Sequence, residues 1–262
     1  TKLGALKVVA TDFVETMLGH SNARNQIKIG LVPFSHYVNI GLDNRFEYWV
    51  DAPEGQWRGA CVGSLPAPYT LMDIVPVEMI DGTPTTIQFP GIDTFDCTAP
   101  IVDLTENIPD LTVGIDAMGW KASTYIGEGV MWGIRLLSED EPFTKGKPFG
   151  TFSGSVNHRK VMLVLTDGDN TQAPSLPDSP THDSWNGELG NTNTQIACSL
   201  ARDEGIEIYS IAFGSAISDD GLSVMQDCAG DVSRYYRAED AGDLQSVFQQ
   251  FIEELVMLRL TS

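Results

Sequence analysis

The chain has 262 residues, of which 36 are acidic and 16 basic, so its formal net charge is -20. A surface this acidic repels the phosphates of nucleic acids and of anionic lipids, and we therefore expect no nucleic-acid partner. Apolar residues make up 42% of the chain, which is an ordinary share for a globular protein. The length suffices for one large domain, or for one domain with an insertion.

The N-terminal residues predict a helix followed by a strand. Apolar side chains recur at helical spacing from Leu3 to Leu18, and Gly19 is a suitable C-cap. Residues 27–34 form an apolar run that predicts a strand, which is the rhythm of an α/β fold. Because the chain opens inside the helical pattern and shows no signal peptide at Thr1, we expect that an upstream segment has been removed.

Residues 43–100 have a different character, because Pro, Gly, Thr and aromatic residues dominate and no helical period survives. A free linker lacks so many aromatic residues, so we predict an irregular or β-rich insertion with its own core. The aromatic residues expected to supply that core are Trp49, Trp57, Tyr69, Phe89 and Phe95. Residues 75–80 are expected to form short extended pieces.

Four cysteines show neither CxxC spacing nor a histidine at zinc-finger spacing, which argues against a structural zinc. Their neighbourhoods suggest two local bridges, Cys61–Cys97 within the insertion and Cys198–Cys228 near the C-terminus. Disulfides indicate an oxidising compartment. Four buried thiols in a cytosolic protein remain the alternative on this pattern alone.

The α/β pattern resumes after the insertion. The predicted elements are a strand at 101–104, helices at 108–118 and 127–137, a strand at 160–165, a helix at 194–204, a strand at 206–213, a helix at 221–229, a strand at 232–237 and a last helix from Asp240. Strands that alternate with helices predict a doubly wound, mostly parallel sheet with helices on both faces, which is a three-layer α/β architecture.

The strand at 160–165 ends in an acidic turn. Its apolar run reads as a buried parallel strand, and Thr166, Asp167 and Asp169 follow it directly. Ligands bind such sheets at the carboxyl ends of the strands, and oxygen donors there favour Mg²⁺ or Ca²⁺. Asp-Gly after a strand is also ordinary turn chemistry. This stretch by itself therefore leaves a metal site and a plain turn equally open.

No residue pattern indicates an enzyme. The chain has no HExxH and no Ser/His/Asp motif, and we read its histidines as surface or packing residues, namely His20, His36, His158 and His182. Trp120 and Trp132 are read as core residues, although Trp120 is near enough to Thr124 in the chain to line a site there.

The whole chain resembles the von Willebrand factor A (VWA) domain, and most closely the TadG-like proteins of tight-adherence (Flp) pilus assembly. The order of helices and strands matches, and so do six stretches at residues 2–7, 30–35, 127–138, 166–168, 205–214 and 251–260. The helix that contains Trp132-Gly133 and the last helix are the stretches most specific to the TadG-like subgroup.

The resemblance implies a metal-ion-dependent adhesion site at the carboxyl edge of the sheet. In the family, a first strand supplies Asp-x-Ser-x-Ser, a second loop a Thr and a third loop an Asp. By position, Thr124 and Asp167 would be metal ligands for Mg²⁺ or Ca²⁺, with Asp169 behind them, although a turn-stabilising role is favoured for Asp169. No Asp-x-Ser-x-Ser precedes Lys2. We therefore expect an incomplete site, whose first strand comes from a removed segment or from another chain.

The function that the resemblance implies is a non-enzymatic binding or adhesion module. It would recognise a protein partner, either a pilus or surface component or another copy of itself, in the periplasm or at the cell surface, with an upstream membrane anchor absent from this chain. The predicted division is a VWA-like domain at 1–42 and 101–262 with the insertion at 43–100. The alternative is a structural surface or filament subunit, completed by strand donation from another chain, in which metal is not essential.

Overall fold

The computed structural model describes residues 1–19, 27–149, 159–174, 181–182 and 185–260. Within these ranges the α-helices are α1 (Lys2–Gly19), α2 (Ile108–Ala117), α3 (Ile126–Leu137), α4 (Gly187–Asp203), α5 (Asp219–Ala229) and α6 (Ala241–Leu260). The strands are β1 (Ile29–Leu31), β2 (Val38–Asn39), β3 (Val50–Asp51), β4 (Cys61–Val62), β5 (Val77–Ile80), β6 (Thr83–Thr86), β7 (Phe89–Ile92), β8 (Val102–Thr105), β9 (Lys160–Thr166), β10 (Ile206–Phe213) and β11 (Tyr235–Ala238). None of the helices in the described ranges combines the length and apolar character of a membrane span.

The α/β part is built on two sheets. Strands β9, β10 and β11 form a parallel sheet in the order β11-β10-β9, in which Ile206 lies opposite Lys160. Strand β1 pairs with β8 in the antiparallel direction, with Ile29 opposite Thr105. The predicted α/β fold is confirmed, with sheets of mixed direction.

Helices cover both faces of the parallel sheet. Val130 of α3 packs against Met162 of β9 on one face. Val9 of α1 and Phe248 of α6 pack against Ile211 of β10 on the other face. The faces are distinct because successive side chains of a strand point to opposite sides. Each such side chain stabilises the fold by about 1.5–3 kcal/mol when it is fully buried.

The insertion shares its core with the α/β part. Strands β2, β4, β7 and β3 form a four-stranded sheet in that order, and β5 pairs with β6 as a separate hairpin. Trp49 and Phe89 are buried there, and the Phe89 ring centroid lies 4.8 Å from that of Trp132 in α3. Trp132 is thus a core residue as predicted, whereas Phe95 is 56% exposed. The domain boundaries at 43 and 100 stay a prediction.

Both predicted disulfides are confirmed. Cys61–Cys97 closes the insertion with a Cα–Cα distance of 5.6 Å, and Cys198–Cys228 joins α4 to α5 with a Cα–Cα distance of 5.0 Å. All four cysteines are buried and paired, which excludes the alternative of four thiols. On the loop-entropy model each link stabilises the folded chain by roughly 3 kcal/mol.

Two predicted boundaries are wrong for local reasons. Helix α4 begins at Gly187 and not at 194, because the Asn186 side chain accepts a hydrogen bond from the Leu189 amide and caps the helix. The strand predicted at 232–237 starts late, because Val232–Arg234 forms a 3₁₀ turn capped by Asp231. In both cases a polar cap decides the boundary and the apolar pattern does not.

Helix α3 buries an arginine against the insertion. The Arg135 side chain is 1% exposed, and its guanidinium lies 4.7 Å from the Phe89 ring centroid and 4.9 Å from that of Trp132. Its Nη2 donates a hydrogen bond of 2.8 Å to the Met72 carbonyl oxygen. Burial lowers the pKa of Arg135 to about 10, and the charge of Glu128 opposes this shift.

Glu128 is the buried carboxylate that balances Arg135 on the same helix. It is 2% exposed and accepts hydrogen bonds from Trp132 Nε1 at 2.8 Å and from Ser64 Oγ at 2.6 Å. Since Ser64 belongs to the insertion, the two charged groups of α3 both hold the insertion in place. Buried charges are tolerated when hydrogen bonds and a nearby opposite charge offset the loss of water, as they do for these two groups.

A pair of buried histidines completes this junction. The amide of Ser64 donates to His182 Nε2 at 3.1 Å, and His182 Nδ1 contacts the His36 carbonyl oxygen. The His182 ring stacks on Tyr37 at 4.8 Å between centroids, and His36 is 7% exposed beside them. Both histidines are packing residues, in agreement with the prediction, whereas His20 and His158 lie outside the described residues.

We predict that His36 makes the fold acid-sensitive. Burial is the main reason that the pKa of His36 falls to about 4, with nearby His182 adding to the shift and Asp96 opposing it. Between pH 6.5 and 4 the unfolded chain binds a proton at His36 that the folded chain does not, so the free energy of unfolding decreases as the pH falls through this window. His36→Phe removes that loss.

Urea unfolding at pH 7 and pH 4.5 measures this effect. The variant should lose about 2–2.5 kcal/mol less than the unmodified chain between the two pH values. Carboxylates titrate in both proteins and cancel in the comparison. Equal losses in the two proteins would show that His36 titrates normally.

We predict that Arg135→Met destabilises the chain by about 1–3 kcal/mol, because it removes the hydrogen bond to Met72 and a positive charge that acts on the buried Glu128. Glu128→Gln removes the buried charge, so the double variant should be more stable than the sum of the single losses implies. Urea unfolding of the four proteins gives the coupling between the two side chains. Strictly additive losses would contradict an electrostatic pairing.

Candidate functional site at the carboxyl edge of the sheet

Asp167 follows the last residue of β9 at the carboxyl edge of the parallel sheet. The turn is held by Thr166, whose Oγ1 donates to the Gly168 carbonyl oxygen at 2.9 Å and accepts from the Gly168 amide at 3.3 Å. The Asp167 side chain is 53% exposed. The turn therefore presents this carboxylate to the solvent.

The first residue of α1 lies against the same turn. The Lys2 ammonium is 3.6 Å from Asp167 Oδ2 and 3.4 Å from the Asp167 carbonyl oxygen. It also packs on Gly214, which follows β10 with φ +96°, and a Cβ there would lie 2.5 Å from Lys2 Nζ. The start of α1 thus lies over the carboxyl ends of β9 and β10. An exposed ion pair of this kind contributes about 0–1 kcal/mol to stability.

Thr124 lies on the loop before α3 and is tied to the segment after Asp167. Its amide donates to Thr171 Oγ1 at 2.9 Å, and its carbonyl oxygen accepts from the amides of Thr171 at 2.9 Å and Gln172 at 3.3 Å. Two residues further on, the Ile126 amide donates to Asn170 Oδ1 at 2.7 Å. These bonds fix the Thr124 loop to the loop that leaves β9.

Asp169 has a structural role in the turn. Its two carboxylate oxygens accept from the amide of Ser218 at 3.0 and 3.3 Å. Ser218 is the N-cap of α5, and a Cβ on Gly221 in that helix would lie 2.0 Å from Asp169 Oδ1. Asp169 therefore connects the β9 loop to the start of α5.

The donors at this edge, within the described part of the chain, do not by themselves fit a divalent ion. Mg²⁺ needs six oxygen ligands and Ca²⁺ six to eight. Within the described ranges no three His, Cys, Asp or Glu side chains are grouped to hold an ion. Asp169 is engaged by Ser218, and the positive charge beside Asp167 is the ammonium of Lys2. Thr124 and Asp167 as metal ligands stay a prediction, because further oxygen donors would have to join them.

Two exposed indoles lie near these loops. Trp120 precedes Thr124 by four residues and is 76% exposed, so its interpretation as a core residue is wrong. Trp185 is also 76% exposed and precedes the N-cap of α4. A Cβ on Gly187 would lie 2.6 Å from the Asn170 carbonyl oxygen, which brings this end of α4 to the β9 loop. Sequence reasoning missed Trp185, although a lone Trp in a polar loop is a signal of exposure.

Comparison with known proteins agrees with this geometry. Residues 121–250 match the family model of the von Willebrand factor type A domain. No curated protein sequence matches the chain. Among solved structures, the pilus adhesin SpaC from Lactobacillus rhamnosus GG, in its open conformation, is 15% identical with a TM-score of 0.54, over 97% of this chain and 28% of SpaC.

A second solved structure covers most of its own length. The vWF domain of the type V pili tip protein Mfa5 from Porphyromonas gingivalis is 11% identical with a TM-score of 0.56, over 97% of this chain and 88% of that domain. At these identities the likeness concerns the fold alone. The chain also spans only 28% of the length of SpaC. The family match over residues 121–250 and the shared fold together show that this chain has a VWA-type α/β fold.

Proposed function

We propose that the chain is a non-enzymatic adhesion or protein-interaction module of a bacterial surface protein. The observation that carries this proposal is a VWA-type fold whose carboxyl edge presents the exposed Asp167, together with an exposed indole on each of two loops, Trp120 before Thr124 and Trp185 before the N-cap of α4. Large exposed aromatic side chains are typical of protein-binding surfaces. The net charge of -20 favours a partner with a basic surface.

The setting that we propose is the periplasm or the cell surface, in pilus assembly. The fold shared with a pilus adhesin and with a pili tip protein supports this setting, and two disulfides suit an oxidising compartment. The sequence features of α3 around Trp132-Gly133 and of the last helix support the TadG-like subgroup. Mg²⁺ or Ca²⁺ at Thr124 and Asp167 belongs to this proposal only if further oxygen donors complete the site.

One Ser–His contact resembles a catalytic pair, but its surroundings disfavour a hydrolytic function. Ser64 Oγ lies 2.8 Å from His182 Nε2, but Ser64 is 2% exposed and His182 is 0% exposed. The hydroxyl also donates to Glu128, which holds it in the core. A substrate could not reach this hydroxyl without opening the junction between the insertion and α3.

We predict that Trp120→Ala combined with Trp185→Ala reduces adhesion at least about fivefold, since contact residues at an interface centre contribute 1 kcal/mol or more. Beads coated with the chain are counted on cells of the source organism. Phe46→Ala is the matched control, because Phe46 is 90% exposed but lies in the insertion. All three proteins should melt at the same temperature.

The outcomes separate the two parts of the proposal. Equal adhesion by the double variant and the unmodified chain, or an equal loss in Phe46→Ala, would remove the indole-bearing edge as the binding surface. A chelator tests the ion independently. If neither the chelator nor Asp167→Ala changes adhesion, the ion at Thr124 and Asp167 is excluded, while the indole surface stands.

A further inference from the structure

The hairpin of β5 and β6 in the insertion is a sheet of two strands, and no third strand joins it among the described residues. Its strands are connected by the two-residue turn Asp81-Gly82, with φ +50° and +80°. A hairpin of two strands is only marginally stable in water by itself. The outer edge of each strand also exposes backbone groups to which another strand can bind.

The register of the hairpin shows which backbone groups point outward. The Ile87 amide donates to the Pro76 carbonyl oxygen at 2.8 Å, so the pair just before β5 is hydrogen-bonded. Bonded and non-bonded pairs alternate along an antiparallel ladder. Two pairs are therefore not hydrogen-bonded to each other, namely Val77 with Thr86 and Met79 with Pro84. The backbone groups of these residues point to the outer edges.

The outer edge of β6 is protected, whereas that of β5 is open. Pro84 has no N–H at an outward position of β6, which is a usual protection of an edge strand. Strand β5 contains neither Pro nor Lys. In the described part of the chain, nothing pairs with the outward N–H and C=O groups of Val77 and Met79. Strand β5 thus offers two N–H and two C=O groups to another strand.

The side chains of β5 make this open edge apolar on the solvent side. Val77 is 61% and Met79 66% exposed, and both lie on the same face because they are two residues apart. Glu78 points to the other face, where it accepts a hydrogen bond from the Tyr69 hydroxyl. Tyr69 in turn packs against the core of the insertion. One face of the hairpin is therefore held by the domain, and the other is apolar and uncovered.

We propose that the outer edge of β5 binds an extended segment of a partner protein in which apolar and basic residues alternate. Main-chain hydrogen bonds to Val77 and Met79 supply the affinity, and apolar residues of the segment cover these two side chains. Charge favours the basic residues. Residues 66–92 contain three acidic residues and no Lys, Arg or His, the acidic ones being Asp73, Glu78 and Asp81.

A second copy of this chain suits the edge less well. The net charge of -20 repels another copy, and residues 66–92 contain no basic residue to meet the acids of a copy. Two β5 strands that pair about a two-fold axis at mid-strand would place Glu78 opposite its own copy, and like charges opposite each other are destabilising. A basic segment from a different protein avoids both penalties.

A peptide titration on the whole 262-residue chain tests the proposal. The probe is a seven-residue peptide with blocked termini in which Val and Lys alternate, and backbone amide shifts are followed by NMR. The amides of Val77 and Met79 should shift and saturate. The same peptide with Glu in place of Lys should bind at least about tenfold more weakly, because its charges oppose those of the hairpin.

Two proline variants form a matched pair. Met79→Pro removes an outward N–H from β5, and Thr86→Pro removes one from β6, while the bonds between the two strands need neither group. The first variant should weaken binding of the Val/Lys peptide at least about fivefold, and the second should leave it unchanged. Met79→Thr keeps the N–H and removes the apolar cover, so it should weaken binding even where proline disturbs the hairpin.

The proposal goes beyond the adhesion function proposed for the carboxyl edge, because it concerns the insertion. Trp120→Ala combined with Trp185→Ala should leave peptide binding unchanged, and a loss of binding in that variant would overturn the β5 site. Unmoved amides at Val77 and Met79, equal binding of the Lys and Glu peptides, or equal weakening by the two proline variants would also overturn it. Shifts of the β5 amides on dilution without peptide would assign the edge to a second copy and overturn it as well.

Discussion

The burial of α3 on nearly all sides is the constraint on which the rest of the structure depends. Ten of its twelve residues are buried. One face packs on β9 through Val130, and another closes the core of the insertion through Trp132. Its N-terminal end follows the Thr124 loop, which is tied to the loop that leaves β9. A single helix thus fixes the sheet, the insertion and the candidate site relative to one another.

A helix buried this completely must satisfy its own charges, and the insertion supplies the means. Glu128 accepts from Ser64, and Arg135 donates to Met72. Among the described residues, Nε and Nη1 of Arg135 have no hydrogen-bond acceptor, and the flanking rings of Phe89 and Trp132 offset part of that cost. The insertion is consequently part of the electrostatics of the α/β core and not an appendage to it.

Periodicity and turn residues in the sequence predict the α/β order and the apolar strand β9 with its Thr-Asp-Gly turn, and the neighbourhoods of the four cysteines predict both disulfides. The predictions of β9 and its turn are correct because an apolar strand that is buried on both faces, and the residues of a turn, can be recognised from neighbouring positions in the sequence. The environment of Arg135 could not be predicted in this way, because Phe89 and Met72 approach it from remote parts of the chain.

The candidate site, too, is predictable from the sequence only where its contacts are local. The acidic turn after β9 can be predicted from residues that are adjacent in the sequence. The contact between Lys2 and Asp167, which lie 165 residues apart, depends on where α1 begins in space. Trp120 is expected in the core because Trp side chains are mostly buried, yet it is exposed, and the residues next to it in the sequence do not reveal which elements pack nearby.

The carboxyl edge is the part of the molecule in which interactions are weak enough to be exchanged. The Lys2–Asp167 pair is largely exposed on both sides, so its contribution is at most about 1 kcal/mol. The hydrogen bonds that hold Thr124 and Asp169 are made with the loop that leaves β9 and with the amide of Ser218, and they do not involve Lys2. A partner or a cation could therefore displace the Lys2 ammonium from Asp167 without loosening the loops beneath it. A rigid base that carries a replaceable charge contact is suited to binding, since the cost of opening the site is small and the geometry of its supports is kept.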